Sequence, residues 1–174
     1  MANGLIQLMP DQDQELVRRL ALRWLRAADP HHKWAKKAKE CVNFLEGEQW
    51  TEEQMAELRE LRRTALTINK IAPLFRLIMG YQSSNRMDVT YLPTSDSQSN
   101  EDIATLLNNL FKSEANRADL KYIDTEVFAD GLSTGRGWWD FRLCFKENDF
   151  GLWKPRCIDP FTLFIDPDAN LFVS

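Results

Sequence analysis

Apolar side chains recur at helical spacing over most of the first 135 positions, and the period then changes to strict alternation. Leu16, Val17, Leu20, Ala21, Trp24 and Leu25 predict an amphipathic helix over 12–28, with Arg19, Arg23 and Arg26 on another face. Asp29-Pro30 reads as a boundary, since Asp is a good N-cap and Pro fits the first turn of a helix. A second helix then carries Trp34, Ala38, Cys41, Val42 and Leu45 on one stripe and stops at Gly47 through a left-handed cap. Thr51-Glu52-Glu53-Gln54 is a capping box that opens a short helix through Met55, Leu58 and Leu61.

Further along, Asn69 or Thr67 caps a helix bearing Ile71, Leu74, Phe75 and Ile78, with Pro73 tolerated in its first turn. Met87 to Pro93, with β-branched Val89 and Thr90, predicts a strand, and Thr94 to Asn100 a polar loop. Ile103, Leu106, Leu107, Leu110 and Phe111 mark a clear helix over 101–117, and Leu120, Ile123, Val127 and Phe128 a second over 120–133. Beyond Gly137, Trp139, Phe141, Leu143 and Phe145 alternate with Asp140, Arg142, Cys144 and Lys146. A turn at Glu147 to Gly151 and a return run from Leu152 to Ile158 complete a hairpin over 137–158, with Pro155 at an edge or a bulge. Phe161 to Ile165 is a candidate for one more strand. The fold class is α+β, a mostly helical N-terminal part followed by an antiparallel hairpin or small sheet.

The apolar fraction of 44% in 174 residues is that of a globular chain. No run reaches the roughly 20 apolar residues of a membrane helix, and Met1 to Pro10 lacks the basic start of a signal peptide. Cys41, Cys144 and Cys157 are odd in number and widely spaced, which reads as buried free thiols in a reducing compartment. The net charge of −4 is polarised. Eight Lys and Arg against Asp29 alone give 18–39 a local +7, while nine acids against three bases give 88–130 a local −6. A dedicated nucleic-acid binder is basic overall, and this chain is not. The basic stretch reads as a solvated helix face, with a phosphate-facing or subunit-facing patch as its rival.

Catalytic chemistry finds little support. Asp159, Asp166 and Asp168 could hold a divalent cation, but two of them precede proline, which is the chemistry of a turn. His31 and His32 sit beside Pro30, where exposure at a helix start is expected, and neither belongs to a nucleophile motif. No GxxxxGK[ST] occurs, and Gly135-Arg136-Gly137 precedes a strand, unlike a dinucleotide loop. No catalytic residue, metal ligand or cofactor site is expected. Trp138 and Trp139 point to opposite faces of one strand. Packing is the plain reading of each, and a subunit interface the sharper reading of the pair. One of the two is therefore expected to be markedly more exposed. Trp50, just past a helix-ending glycine, is expected to pin the turn that follows.

Four blocks occur in a fixed order: Gly47-Glu48-Gln49-Trp50, Leu66-Thr67-Ile68-Asn69-Lys70, Gly80-Tyr81-Gln82-Ser83-Ser84-Asn85-Arg86 and Gly135-Arg136-Gly137-Trp138-Trp139. Two more segments join them, Met87 to Pro93 running on to Glu101-Asp102-Ile103-Ala104, and Ile158-Asp159-Pro160-Phe161 running on to Ile165-Asp166-Pro167-Asp168-Ala169. Together they resemble the N-terminal region of the portal proteins of short-tailed, headful-packaging bacteriophages, over about residues 34 to 170.

The resemblance implies a homo-oligomeric structural subunit of a dodecamer, not an enzyme, at one vertex of the virion head, assembled in the host cytoplasm. Double-stranded DNA would be packaged by a terminase through that ring and would leave through it. Head and tail-adaptor proteins would be further partners, with no cofactor and no membrane. On this reading residues 1–30 are a variable N-terminal helix and 31–174 a wing and body region, an N-terminal piece of a longer protein. Candidate interface or motif residues are Trp50, Asn69, Asn85, Arg86, Arg136, Trp138 and Trp139. The alternatives from the residues alone are a small helical adaptor for protein partners and a metal-dependent hydrolase built on the C-terminal aspartates.

Overall fold

Pro30 does not end the first helix. In the computed structural model, which describes residues 11–86, 88–95, 97–146, 148–149 and 151–167, one helix, α1, runs unbroken from Asp11 to Glu46 with Pro30 inside it. The expected division at Asp29-Pro30 is thus corrected. An interior proline costs about 3 kcal/mol because it removes a ladder hydrogen bond and crowds the preceding turn. The turns on either side of Pro30 bury Ala27, Ala28, His31 and Ala38, and that packing outweighs the local penalty. His31, expected to be exposed at a helix start, is buried for the same reason.

The ends of the next elements follow local rules. Gly47 adopts φ +94° and stops α1, while the Glu48 N–H returns to the Asn43 carbonyl at 2.8 Å. Helix α2, Glu52–Glu60, opens with the Thr51/Gln54 capping box fully formed. Helix α3, Ile71–Ser84, takes its cap from Asn69, whose Oδ1 accepts from the Ile71 and Ala72 N–H groups at 3.1 and 3.0 Å. The same side chain donates through Nδ2 to the Leu45 carbonyl at 2.8 Å, so one amide staples the end of α1 to the start of α3. Thr67, the rival cap, instead accepts from Trp50 Nε1 at 3.1 Å.

Residues 88–93 form no strand, which corrects the expectation there; Met87 lies outside the described residues. A strand needs a partner ladder, and here the partner is one side chain. Asn108 accepts from the Tyr91 N–H at 2.8 Å and donates to the Tyr91 carbonyl at 3.0 Å. Helix α4 spans Gln98–Arg117, beginning inside the stretch expected to be loop, and α5 spans Leu120–Thr134. Strands β1, Trp138–Cys144, and β2, Leu152–Ile158, form a two-stranded antiparallel sheet with Trp139 opposite Cys157 and Phe141 opposite Pro155. The candidate strand at Phe161 to Ile165 is corrected too. Pro160–Thr162 is a turn of 3₁₀ helix, capped by Asp159 through a 2.9 Å bond from the Phe161 N–H.

Helix α5 is the hub, touching α1, α3, α4 and both strands. The core around it is thin. Ala27, Ala28, Ala38, Ala104 and Val127 are buried, as are Pro155 and Pro160, and no large side chain is fully buried among the described residues. The chain exposes 14481 Å², where a compact monomer of its mass would expose about 8,800 Å². Among the described residues no helix is long and apolar enough to cross a membrane. Much of the apolar surface of the helices is left exposed, Leu66, Leu77 and Leu92 among it.

Candidate functional site

The block Gly135-Arg136-Gly137-Trp138-Trp139 is where helix passes to sheet, and each residue there has a physical task. Gly135 caps α5 at φ +78°, a left-handed conformation that side chains disfavour. Thr134 Oγ1 lies 2.8 Å from the Asp130 carbonyl and 2.9 Å from that of Arg136, tightening the exit from the helix. Arg136 then lays its guanidinium over the Trp34 ring, 4.2 Å from the centroid. The same indole donates to the Thr134 carbonyl at 3.0 Å and lies 5.4 Å, centroid to centroid, from Phe161. Gly137 has no room for a side chain, since a Cβ there would sit 2.2 Å from the Val127 carbonyl oxygen.

His31 closes the other side of this junction. Its Nε2–H donates to the Phe161 carbonyl at 3.0 Å, and its ring lies 4.1 Å from that of Phe164. Its Nδ1 is buried without a partner. The histidine ties α1 to the chain after β2. Sequence reading missed Trp34 and His31 as organisers, because their partners lie 100 and 130 positions away.

The hairpin has two unlike faces. On one, Trp139, Phe141 and Trp153 form a row of near-parallel rings, with centroids 5.4 and 5.8 Å apart. This row forms part of a cleft of about 690 Å³ against Phe111 and Leu120, with Arg86, Lys112 and Asp124 also lining it. On the other, Asp140 accepts from Arg156 Nε at 2.6 Å and forms an ion pair with Arg142 at 2.7 Å. Those two bonds, Arg156 first, hold the Asp140 carboxyl below its usual range. Its contribution to stability is thus present above the ordinary carboxylate range and fades as pH falls through the depressed value. An acid two residues from an arginine in an alternating run was the available signal for this pair.

Trp138 and Trp139 are both half-buried, and neither is exposed. Trp139 belongs to the ring row, whereas Trp138 lies on the opposite face across from Ile158, its Nε1 buried without a partner. The other sequence candidates divide by location. Asn69 is the staple described above, Asn85 caps the end of α3 by donating to the Tyr81 carbonyl at 3.0 Å, and Trp50 is exposed in the turn after α1. Arg86 reaches from the end of α3 to Thr125 Oγ1 at 3.2 Å, while its Nε is buried without a partner. The structure brings Arg86 and Trp139 to one cleft, and places Arg136 and Trp138 at the junction beside it.

Of the three thiols, Cys41 is exposed, contrary to the expectation of buried cysteines, and Cys144 and Cys157 are half-buried. Cys157 Sγ lies 3.2 Å from Asp130 Oδ2, and burial together with that carboxylate pushes its pKa up to about 12. At pH 8 iodoacetamide is expected to label Cys41 at least roughly 100-fold faster than Cys157, because only the thiolate reacts. Peptide mass spectrometry over time reads the ratio, and equal rates would contradict the Asp130 contact. Between the ordinary thiol value and about 12 the unfolded chain releases this proton first, so the contribution to stability declines as pH rises through that window.

Asp159 is engaged as a cap, Asp168 lies outside the described residues, and no group of three potential metal ligands occurs among the described residues. Asn69, Asp140 and Asp159 serve as a staple, an ion-pair centre and a cap, while apolar stripes extend past the core. This is the build of an assembly component. Consistent with that class, residues 22–171 match the family of phage P22-like portal proteins, and the chain belongs to that family. A search of curated proteins gives no match.

Proposed function

We propose that the chain is a structural part of a phage portal ring, the head-vertex conduit through which double-stranded DNA is packaged and ejected, and that it has no catalytic activity of its own. The observation that carries this is the family match over residues 22–171. The excess of exposed apolar surface supports it, since a subunit keeps for its neighbours what a monomer buries for itself. The acidic balance fits a conduit as well, because DNA that must slide should meet few cations that neutralise its phosphates. Neighbouring portal subunits are the first partners, with terminase, head and tail-adaptor proteins beyond them.

Light scattering and electron microscopy over the whole accessible concentration range test the reading. The expected result is self-association that grows with concentration and gives curved or closed arrays around an opening. A strict monomer at every concentration would favour the small adaptor instead.

A further inference from the structure

Two apolar helix stripes have no cover among the described residues. The face of α1 that buries Ala27, His31 and Ala38 continues toward the N-terminus as Leu16, Leu20 and Trp24, all exposed there, with Leu20 at 54%. Trp24 alone reaches an aromatic neighbour, Phe164, at 6.0 Å. On α4 the buried side is marked by Ala104, with Phe111 half-buried beside it. Ile103, Leu106 and Leu110 lie on a different side and are exposed, Leu106 at 66%. The clearest amphipathic stripe in the sequence thus faces largely away from the chain's own core.

The two stripes match in length and in charge. Leu16 to Trp24 spans about 12 Å of helix and Ile103 to Leu110 about 10.5 Å, at 1.5 Å per residue. The α1 stripe is flanked by exposed Arg19 and Arg23, and it opens the basic stretch 18–39. The α4 stripe begins beside exposed Asp102, within the acidic stretch 88–130. An antiparallel crossing sets Leu16 against Leu110, Leu20 against Leu106 and Trp24 against Ile103, and it brings Arg23 beside Asp102. A parallel crossing would move Arg23 to the far end of the α4 stripe from Asp102.

We propose that the N-terminal half of α1, residues 11–26, docks antiparallel on the exposed face of α4 in a second copy of this chain. The surface is heterologous, so each copy offers an α1 arm to one neighbour and an α4 face to another, the arrangement that closes into rings. The inference deepens the portal reading by naming the surfaces through which neighbours meet.

Sedimentation velocity on the full chain tests it. Arg19→Glu with Arg23→Glu, or Asp102→Lys alone, is expected to weaken association at least roughly tenfold. The three changes combined in one chain restore it, because each contact again joins opposite charges. Unchanged association in either single-sided variant, or no recovery in the combined one, overturns the docking. In a Cys41→Ser background, Leu20→Cys with Leu106→Cys should cross-link between chains under mild oxidation. A cross-link within one chain would show that the arm folds back on itself, and no cross-link would refute the register. Rings that persist in micrographs with the charges reversed would sink this docking and leave the portal reading standing. Cross-linked pairs without rings would do the reverse.

Discussion

Replacing Gly137 by alanine is expected to lower stability by about 3 kcal/mol, at the top of the range for overpacking. The new methyl would meet the Val127 carbonyl oxygen at 2.2 Å and Val127 Cγ1 at 3.0 Å. That oxygen belongs to the backbone of α5 and cannot rotate away. Either β1 lifts off α5 or the helix yields, and both routes disturb the hub of the fold. For a chain of this size the loss corresponds to a fall in melting temperature of roughly 6–12 °C. Gly80→Ala is the control, because a Cβ at Gly80 meets nothing within 4 Å, and a gain of about 0.5–1 kcal/mol is expected in its helix. Equal melting temperatures for the two variants would mean that β1 does not lie so close on α5.

Trp34→Ala carries the second large effect, about 3 kcal/mol, the lower end for a tryptophan because this one is half-buried. It removes a ring shared by His31, Phe161 and Arg136, and it leaves the Thr134 carbonyl without its indole donor. Trp34→Phe keeps most of the apolar contact and loses the N–H, so about 1–1.5 kcal/mol is expected from that hydrogen bond. A double-mutant cycle with Arg136→Ala isolates the stacking of guanidinium on indole, for which a coupling of about 0.5–1 kcal/mol is expected. Urea denaturation midpoints supply all four corners, and strict additivity would show that Arg136 and Trp34 do not interact in solution.

What could be read from the sequence was whatever the chain decides locally. The capping box at Thr51 and the glycine stop at Gly47 depend on residues a few positions apart, the hairpin after Gly137 is announced by alternation within its first strand, and all three are found. Pro30 misled because its penalty is local while the packing that overrides it comes from α5 and from the chain after β2. Residues 88–93 misled for a related cause. Their composition suits extended backbone, but a strand exists only where another strand supplies a ladder, and Asn108 supplies a single rung. The helical period at Ile103, Leu106 and Leu110 was plain, yet a period says only that a face wants cover, never from which molecule. Of the candidate site, the glycines and tryptophans at the helix–sheet junction were visible as a block. The long-range ties around them, Trp34 to Thr134, His31 to Phe161 and Asp130 to Cys157, were not, since contacts over such separations leave no local pattern.

Pro30 sets a mechanical condition on any assembly built through α1. It has no N–H to give the turn before it, so the helix is softest to bending just where the anchored half, around Ala27 to Ala38, meets the arm that bears Leu16 and Leu20. Rings of eleven, twelve and thirteen copies differ in the turn between neighbours by only about 2–3°. A flexure that small falls well within the compliance of a proline-interrupted helix. The count of copies in a closed circle would then be governed by the stiffness of one turn of α1, and the same docking contacts could serve circles of neighbouring sizes.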